Sequence, residues 1–126
     1  MEQLLDTHSF IWFVTGNSRI TSKVRSQIEN NDNVLSMTSI WEIAIKSSIG
    51  KLNLGISIEQ LVREQIIANG IEILNITTKH LAVVSNLPLH HRDPFDRLII
   101  AQAMVEKIPI VGADKAFDSY SIQRLW

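Results

Sequence analysis

A chain of 126 residues fits one compact domain over residues 1–126, because a second domain would leave neither with enough sequence to bury a core. With 45% hydrophobic and 20% charged residues it is too apolar for a disordered chain, while a mean hydropathy of +0.09 and the lack of any long apolar run argue against a membrane protein. A formal net charge of −1 excludes a general electrostatic grip on nucleic acid but leaves room for a local basic patch, and zero cysteines exclude disulfides and thiolate chemistry. The expected location is the cytoplasm, since the first residues also lack the basic start of a signal peptide.

Short apolar runs predict strands at residues 3–5, 34–37, 71–74, 108–111 and 121–123, separated by helical patterns. The first helix covers 7–15 and is stopped by Gly16; the second covers 21–29 behind a Thr N-cap. Residues 39–48 repeat apolar positions at helical spacing, with Gly50 placed for a left-handed end. Further helices are expected at 57–69, closed by Gly70, and at 77–86. A loop with His90, His91 and Arg92 leads to Asp93-Pro94, a strong start for a helix to about Lys107 whose middle is apolar nearly all round. Strand and helix alternate throughout, so the expected class is α/β, with a mostly parallel sheet of four to five strands.

Four acids stand out from this pattern. Asp6 follows the first strand and Asp114 follows the fourth, so both lie at the carboxyl edge of the sheet, where open α/β folds bind ligands. If those two strands are neighbours, the carboxylates flank one crevice. Glu42 and Asp96 lie about a turn into their helices and can reach it. Carboxylates gathered in this way repel unless a cation neutralises them, and oxygen donors without Cys favour Mg²⁺ or Mn²⁺. Such a site suits phosphodiester hydrolysis. Each acid also has a structural reading: Asp6, Asp93 and Asp114 as helix caps, Glu42 as the end of an S/T-x-x-E capping box begun by Ser39, or as an ion-pair partner of Lys46.

The segments Leu4-Leu5-Asp6-Thr7-His8, Ile40-Trp41-Glu42-Ile43-Ala44, Arg92-Asp93-Pro94-Phe95-Asp96-Arg97, Ala101-Gln102-Ala103 and Val111-Gly112-Ala113-Asp114-Lys115 resemble PIN-domain proteins, particularly VapC-type toxins. The resemblance runs over nearly the whole chain in the expected order. It implies a three-layer α/β/α fold, metal-dependent endoribonuclease activity on RNA, a homodimer and a neutralising antitoxin. Carried over by position, it makes Asp6, Glu42, Asp96 and Asp114 the catalytic and metal-binding acids. Asp93 falls outside that pattern and is read as a cap first; with Thr7 it is a candidate support for the metal ligands. Gly112 stands where many relatives carry Thr or Ser, which puts a hydroxyl contact near the metal in doubt.

Arg92, Arg97 and His91 are candidates for substrate binding, with neutralisation of the acids as the rival role for the arginines. Lys46 and Lys51 read as a solvated face. Trp12, Phe13 and Trp41 read as core first and as an interface second, with Trp12 or Phe13, if exposed, assigned to a dimer or antitoxin groove. Two other functions compete. A PIN fold that has lost catalysis and serves as an interaction protein is favoured only by Gly112. A receiver-type signalling module wants an acidic pair after the first strand, where this chain has Thr7 and His8 behind Asp6. Neither the dinucleotide and P-loop glycine patterns nor a nucleophile elbow occurs.

Overall fold

A computed structural model describes residues 2–126. Five strands, β1 (Glu2–Leu5), β2 (Asp32–Ser36), β3 (Glu72–Leu74), β4 (Ile110–Val111) and β5 (Arg124–Leu125), form one parallel sheet in the order β3-β2-β1-β4-β5. The chain leaves β1 toward β2 and β3, then returns to the other side of β1 for β4. That reversal puts the topological switch point between β1 and β4.

Alternation along the strands builds two cores. Leu5, Leu35 and Val111 face one side with Phe10, Val24, Ile28, Ile40, Ile43, Leu61 and Ile66. Leu4, Val34 and Ile110 face the other with Ile99, Ile100, Phe117 and Tyr120. Helices α1 (Thr7–Thr15), α2 (Ser22–Glu29), α3 (Met37–Ser48) and α4 (Ile58–Gln60) serve the first core, and α5 (Thr78–Asn86) and α6 (Pro94–Glu106) the second. The three-layer α/β/α arrangement expected from the sequence is therefore present.

Most element ends follow their expected caps. Thr21 accepts from Val24 N, Asp93 accepts from Phe95 N and Asp96 N, and Gly16 and Gly70 take positive φ. Leu98 to Ala103 of α6 are all buried, as its all-round apolar pattern requires. Several boundaries differ by one or two residues, and four differences have a local cause. Met37 belongs to α3, not to β2, because Ser36 turns the chain by accepting from Thr38 N at 2.9 Å. β4 begins at Ile110, after Pro109, which has no N–H for the ladder. The last strand is Arg124–Leu125, not 121–123; a tight turn from Tyr120 O to Ile122 N occupies the earlier residues. The 57–69 helix changes after one turn into a π-type segment, Leu61–Ile67. Residues five apart lie about 140° apart on an α-helix, and the wider turn lets Leu61 and Ile66 both face the core.

Gln102 locks α6 to the start of α3. Its buried side-chain oxygen accepts from the Ser36 hydroxyl, and its amide lies 3.4 Å from His80 Nδ1. His80 is itself fully buried and reaches Glu106 at 2.9 Å. This fixes the helix that carries Glu42 relative to the helix that carries Asp96.

Candidate metal centre

The crevice at the switch point receives one acid from each of four elements. Asp6 ends β1: its N–H donates to Val111 O at 3.1 Å, and its Oδ1 accepts from Ser9 N at 2.8 Å. It is therefore the N-cap of α1 and also a buried carboxylate. Burial raises its pKa, and the Asp114 charge adds to the rise. Thr7 beside it donates to the Ser39 hydroxyl at 2.9 Å, tying α1 to α3.

Asp96 lies in the first turn of α6. Desolvation, reinforced by the charges of Asp93, Asp6 and Glu42, pushes its pKa up to about 7, against a lowering influence from His91. A carboxyl raised mainly by burial, and further by neighbouring acids, marks a candidate functional group. Asp114 is half exposed, and its Oδ1 accepts from Ala116 N at 2.9 Å at the start of a 3-10 turn, Lys115–Ser119. Its Oδ2 remains directed at the crevice, where His91 Nε2 lies 3.2 Å from it and 3.2 Å from Asp96 Oδ2. His91, Asp96 and Asp114 thus bring three ligand-type atoms within 4.8 Å of one another.

Glu42 is buried, and its Oε2 accepts from Lys46 Nζ at 2.6 Å. Its Oε1 has no hydrogen-bond partner. A buried carboxylate oxygen left unpaired costs more than a hydrogen bond contributes, so it marks a place for a cation or donor. The capping-box reading of Glu42 falls away, because Ser36 caps α3 and Ser39 lies within the helix. The Lys46 pair expected from the spacing does form, with its acid partner in the interior. Lys46 also feels Asp93 and Asp96, which raise its pKa after the Glu42 hydrogen bond.

A Cβ on Gly112 would lie 2.7 Å from Asp6 Oδ2. The glycine gives the carboxylate room. The chemistry of the donor set, the orphaned Glu42 oxygen and the raised Asp96 all fit a hard divalent cation. Asp93, as first read, is a cap.

The rim differs from expectation at Arg97. Arg97 donates to the carbonyls of Leu87, Pro88 and His91 at 3.0, 3.0 and 3.3 Å, so its guanidinium holds the 87–91 loop from below. Tyr120 holds the same loop from the other side: its hydroxyl accepts from His90 N and His91 N and donates to Pro88 O. No motif in the sequence signals that clamp. Arg92 is exposed and has no ion pair among the described residues. His8 is exposed and stacks on Trp12 with ring centroids 5.6 Å apart. Trp12 and Phe13 are partly buried against the first core, but Trp41 is 52% exposed.

The PIN-domain family model matches residues 4–123. The chain belongs to the PIN-domain family. Solved structures share the fold of this PIN domain at low identity. VapBC2 from Rickettsia felis, solved bound to a promoter DNA fragment, is 14% identical with a TM-score of 0.74, covering 99% of this chain and 98% of that one. FitAcB from Neisseria gonorrhoeae is 16% identical with a TM-score of 0.72, covering 98% and 96%. FitAB bound to an IR36 DNA fragment gives 17% and 0.70, covering 98% and 93%. No curated protein matches the chain. Among the described residues, no helix of the PIN domain is long and apolar enough to cross a membrane.

Proposed function

We propose that this PIN domain is a divalent-cation-dependent endoribonuclease acting in the cytoplasm as the toxin of a toxin-antitoxin pair. One observation carries the reading: in a PIN-domain chain, four carboxylates from β1, α3, α6 and the turn after β4 converge on the switch-point crevice with too little positive charge among them.

Asp6, Asp96 and Asp114 would hold the cation, with Glu42 behind them, and the all-carboxylate set suits Mg²⁺ or Mn²⁺. Bound there, the cation would supply Lewis-acid stabilisation of charge on the phosphoryl group and lower the pKa of nearby water. The residues supply the rest. Ser9 N and Ala116 N fix the Asp6 and Asp114 rotamers by each taking one carboxylate oxygen, while the second oxygen of Asp114 lies 3.2 Å from His91 Nε2. Thr7 and Asp93 act through backbone placement: Thr7 joins α1 to α3, and Asp93 caps the helix that presents Asp96. Arg92 is the guanidinium at the rim available for a substrate phosphate. With a net charge of −1, the RNA grip must be local, and Arg92 beside His90 and His91 is the place for it.

The antitoxin part of the proposal is supported by the resemblance to VapC-type toxins and by the shared fold of VapBC2, solved with a DNA fragment from its promoter. The homodimer part is supported by α3, where Met37, Trp41, Ile45 and Ile49 form one exposed apolar ridge at i+4 spacing. The catalytically silent alternative loses its support, since Gly112 accommodates Asp6.

Purified protein incubated with mixed RNA and Mg²⁺ or Mn²⁺ should cut it, and a chelator should stop the cutting. RNA left intact with either cation would overturn the assignment.

A further inference from the structure

Between Asp6 and Glu29 the chain carries Arg19, Lys23 and Arg25 and no acid, so α1, α2 and the turn joining them form a cationic segment in a protein of net charge −1. Arg19 and Lys23 are exposed, and neither makes an ion pair among the described residues. Aromatic rings are interleaved with these cations. The Arg19 guanidinium lies 5.3 Å from the centroid of Trp12, and that of Arg25 lies 5.1 Å from Phe13. His8 stacks on Trp12, and Trp126 meets the same ring at 5.9 Å and 68°.

Beside Trp126 a cleft of about 260 Å³ opens between α2 and the ends of β4 and β5. Val24, Val111 and Leu125 give it aliphatic surface, Trp126 an aromatic ring, and Lys23 and Gln27 polar groups. Pockets for drug-sized ligands start at roughly 300 Å³, so this one suits a group the size of a single heterocyclic base. Arg124 lines it too, but its guanidinium is committed to Asp118 at 2.9 and 3.0 Å and to Gly112 O at 3.1 Å. The cleft adjoins the acidic crevice through Val111, whose carbonyl accepts from Asp6 N at 3.1 Å and from the Ser9 hydroxyl at 3.0 Å.

We propose that this cleft is a base-binding subsite for single-stranded RNA: an unpaired base stacks on Trp126, and the neighbouring phosphates lie on Lys23 and Arg19. The inference rests on the ribonuclease reading above and names where the substrate is held beside the crevice, in addition to Arg92. Stacking on aromatic rings and neutralisation of phosphate are the two interactions that hold single strands, and the groups for both are present here. Trp12, flanked by His8 and Arg19, positions the Trp126 ring. A protein partner wants exposed apolar surface, which α3 supplies, whereas the exposed group lining this cleft is the Lys23 ammonium.

The test is fluorescence anisotropy of a short labelled single-stranded RNA of mixed sequence, titrated with the whole protein in chelator to prevent cutting, with thermal melts to check folding. Trp126→Ala should bind roughly tenfold more weakly, the loss of one base stack. Trp126→Phe keeps a stacking ring and should stay within about threefold of the unaltered protein. Lys23→Ala and Arg19→Ala, both at exposed positions, should each lower the slope of log affinity against log salt by roughly 0.7. A fully paired duplex of the same sequence has no unpaired base to offer and should bind about tenfold more weakly than the single strand. No binding of the single strand, unchanged binding in Trp126→Ala, an unchanged salt slope in Lys23→Ala, or equal binding of duplex and single strand would overturn the subsite. The rings would then fall to a protein partner, and the ribonuclease reading would stand or fall on its own cleavage assay. Trp126-dependent binding of an RNA that Mg²⁺ and Mn²⁺ leave uncut would uphold the subsite and overturn the ribonuclease reading.

Discussion

Oδ2 of Asp6 occupies the space that a side chain on Gly112 would fill, the two positions being 2.7 Å apart. The bare strand end after β4 and the buried acid after β1 are therefore one feature. Gly112→Ala should force the Asp6 carboxylate off its Ser9 contact, with a stability loss of about 1–3 kcal/mol. Nuclease activity should fall at least tenfold. Chemical denaturation and a cleavage assay check both, and a fully active Gly112→Ala protein would show that Asp6 does not need this position.

The metal-free protein should lose stability as pH rises from about 4 to about 7. Asp96 has its folded pKa raised to about 7 from the ordinary 3.8, and burial also raises Asp6. Between those limits the folded protein keeps a proton that the unfolded chain has released, so rising pH favours unfolding. Asp96→Asn should remove the Asp96 share of this slope, leaving that of Asp6, and stabilise the metal-free protein above pH 7 by on the order of 2 kcal/mol. Saturating Mg²⁺ should flatten it too. Melting temperatures from pH 4.5 to 8 provide the measurement.

Removing one hydroxyl should loosen the loop that carries His91. Tyr120→Phe leaves the N–H groups of His90 and His91 without their acceptor and Pro88 O without its donor, which should cost about 1–2 kcal/mol. Amide hydrogen exchange at residues 90 and 91 should rise in step. Unchanged exchange there would mean the clamp does not hold the loop.

The α3 ridge predicts that the protein is a dimer and that Trp41→Lys makes it a monomer. Trp41 packs edge-on against Phe95 at 4.8 Å, so the variant should also lose about 1 kcal/mol of monomer stability while staying folded. Sedimentation at several concentrations distinguishes the species; a dimer that survives the substitution would move the interface elsewhere.

Much of this was legible in the sequence, for physical reasons that vary by residue. The parallel sheet followed from apolar runs separated by capped helices, and the Asp6 and Asp114 crevice from the rule that ligands bind at strand ends. Glu42 was ambiguous because Ser39 and Ser36 are equally good caps by type, and only the geometry of Thr38 N selects Ser36. Trp41 looked like core because helical spacing gives a stripe without saying which side of the helix faces the sheet; Ile40 and Ile43 took the inside. The Arg97 and Tyr120 clamp was invisible, since it joins residues up to 32 positions apart through backbone carbonyls and amides. The reason for Gly112 was equally hidden: a close approach between two strand ends leaves no local pattern.

The most direct test of the central claim is the initial rate of cleavage of a labelled single-stranded RNA as Mn²⁺ is titrated, for the unaltered protein and for Asp96→Asn. Saturable, chelator-sensitive cleavage is expected, falling at least a hundredfold in Asp96→Asn while its melting curve stays cooperative. Equal cleavage by the two proteins, or cleavage indifferent to the cation, would contradict it.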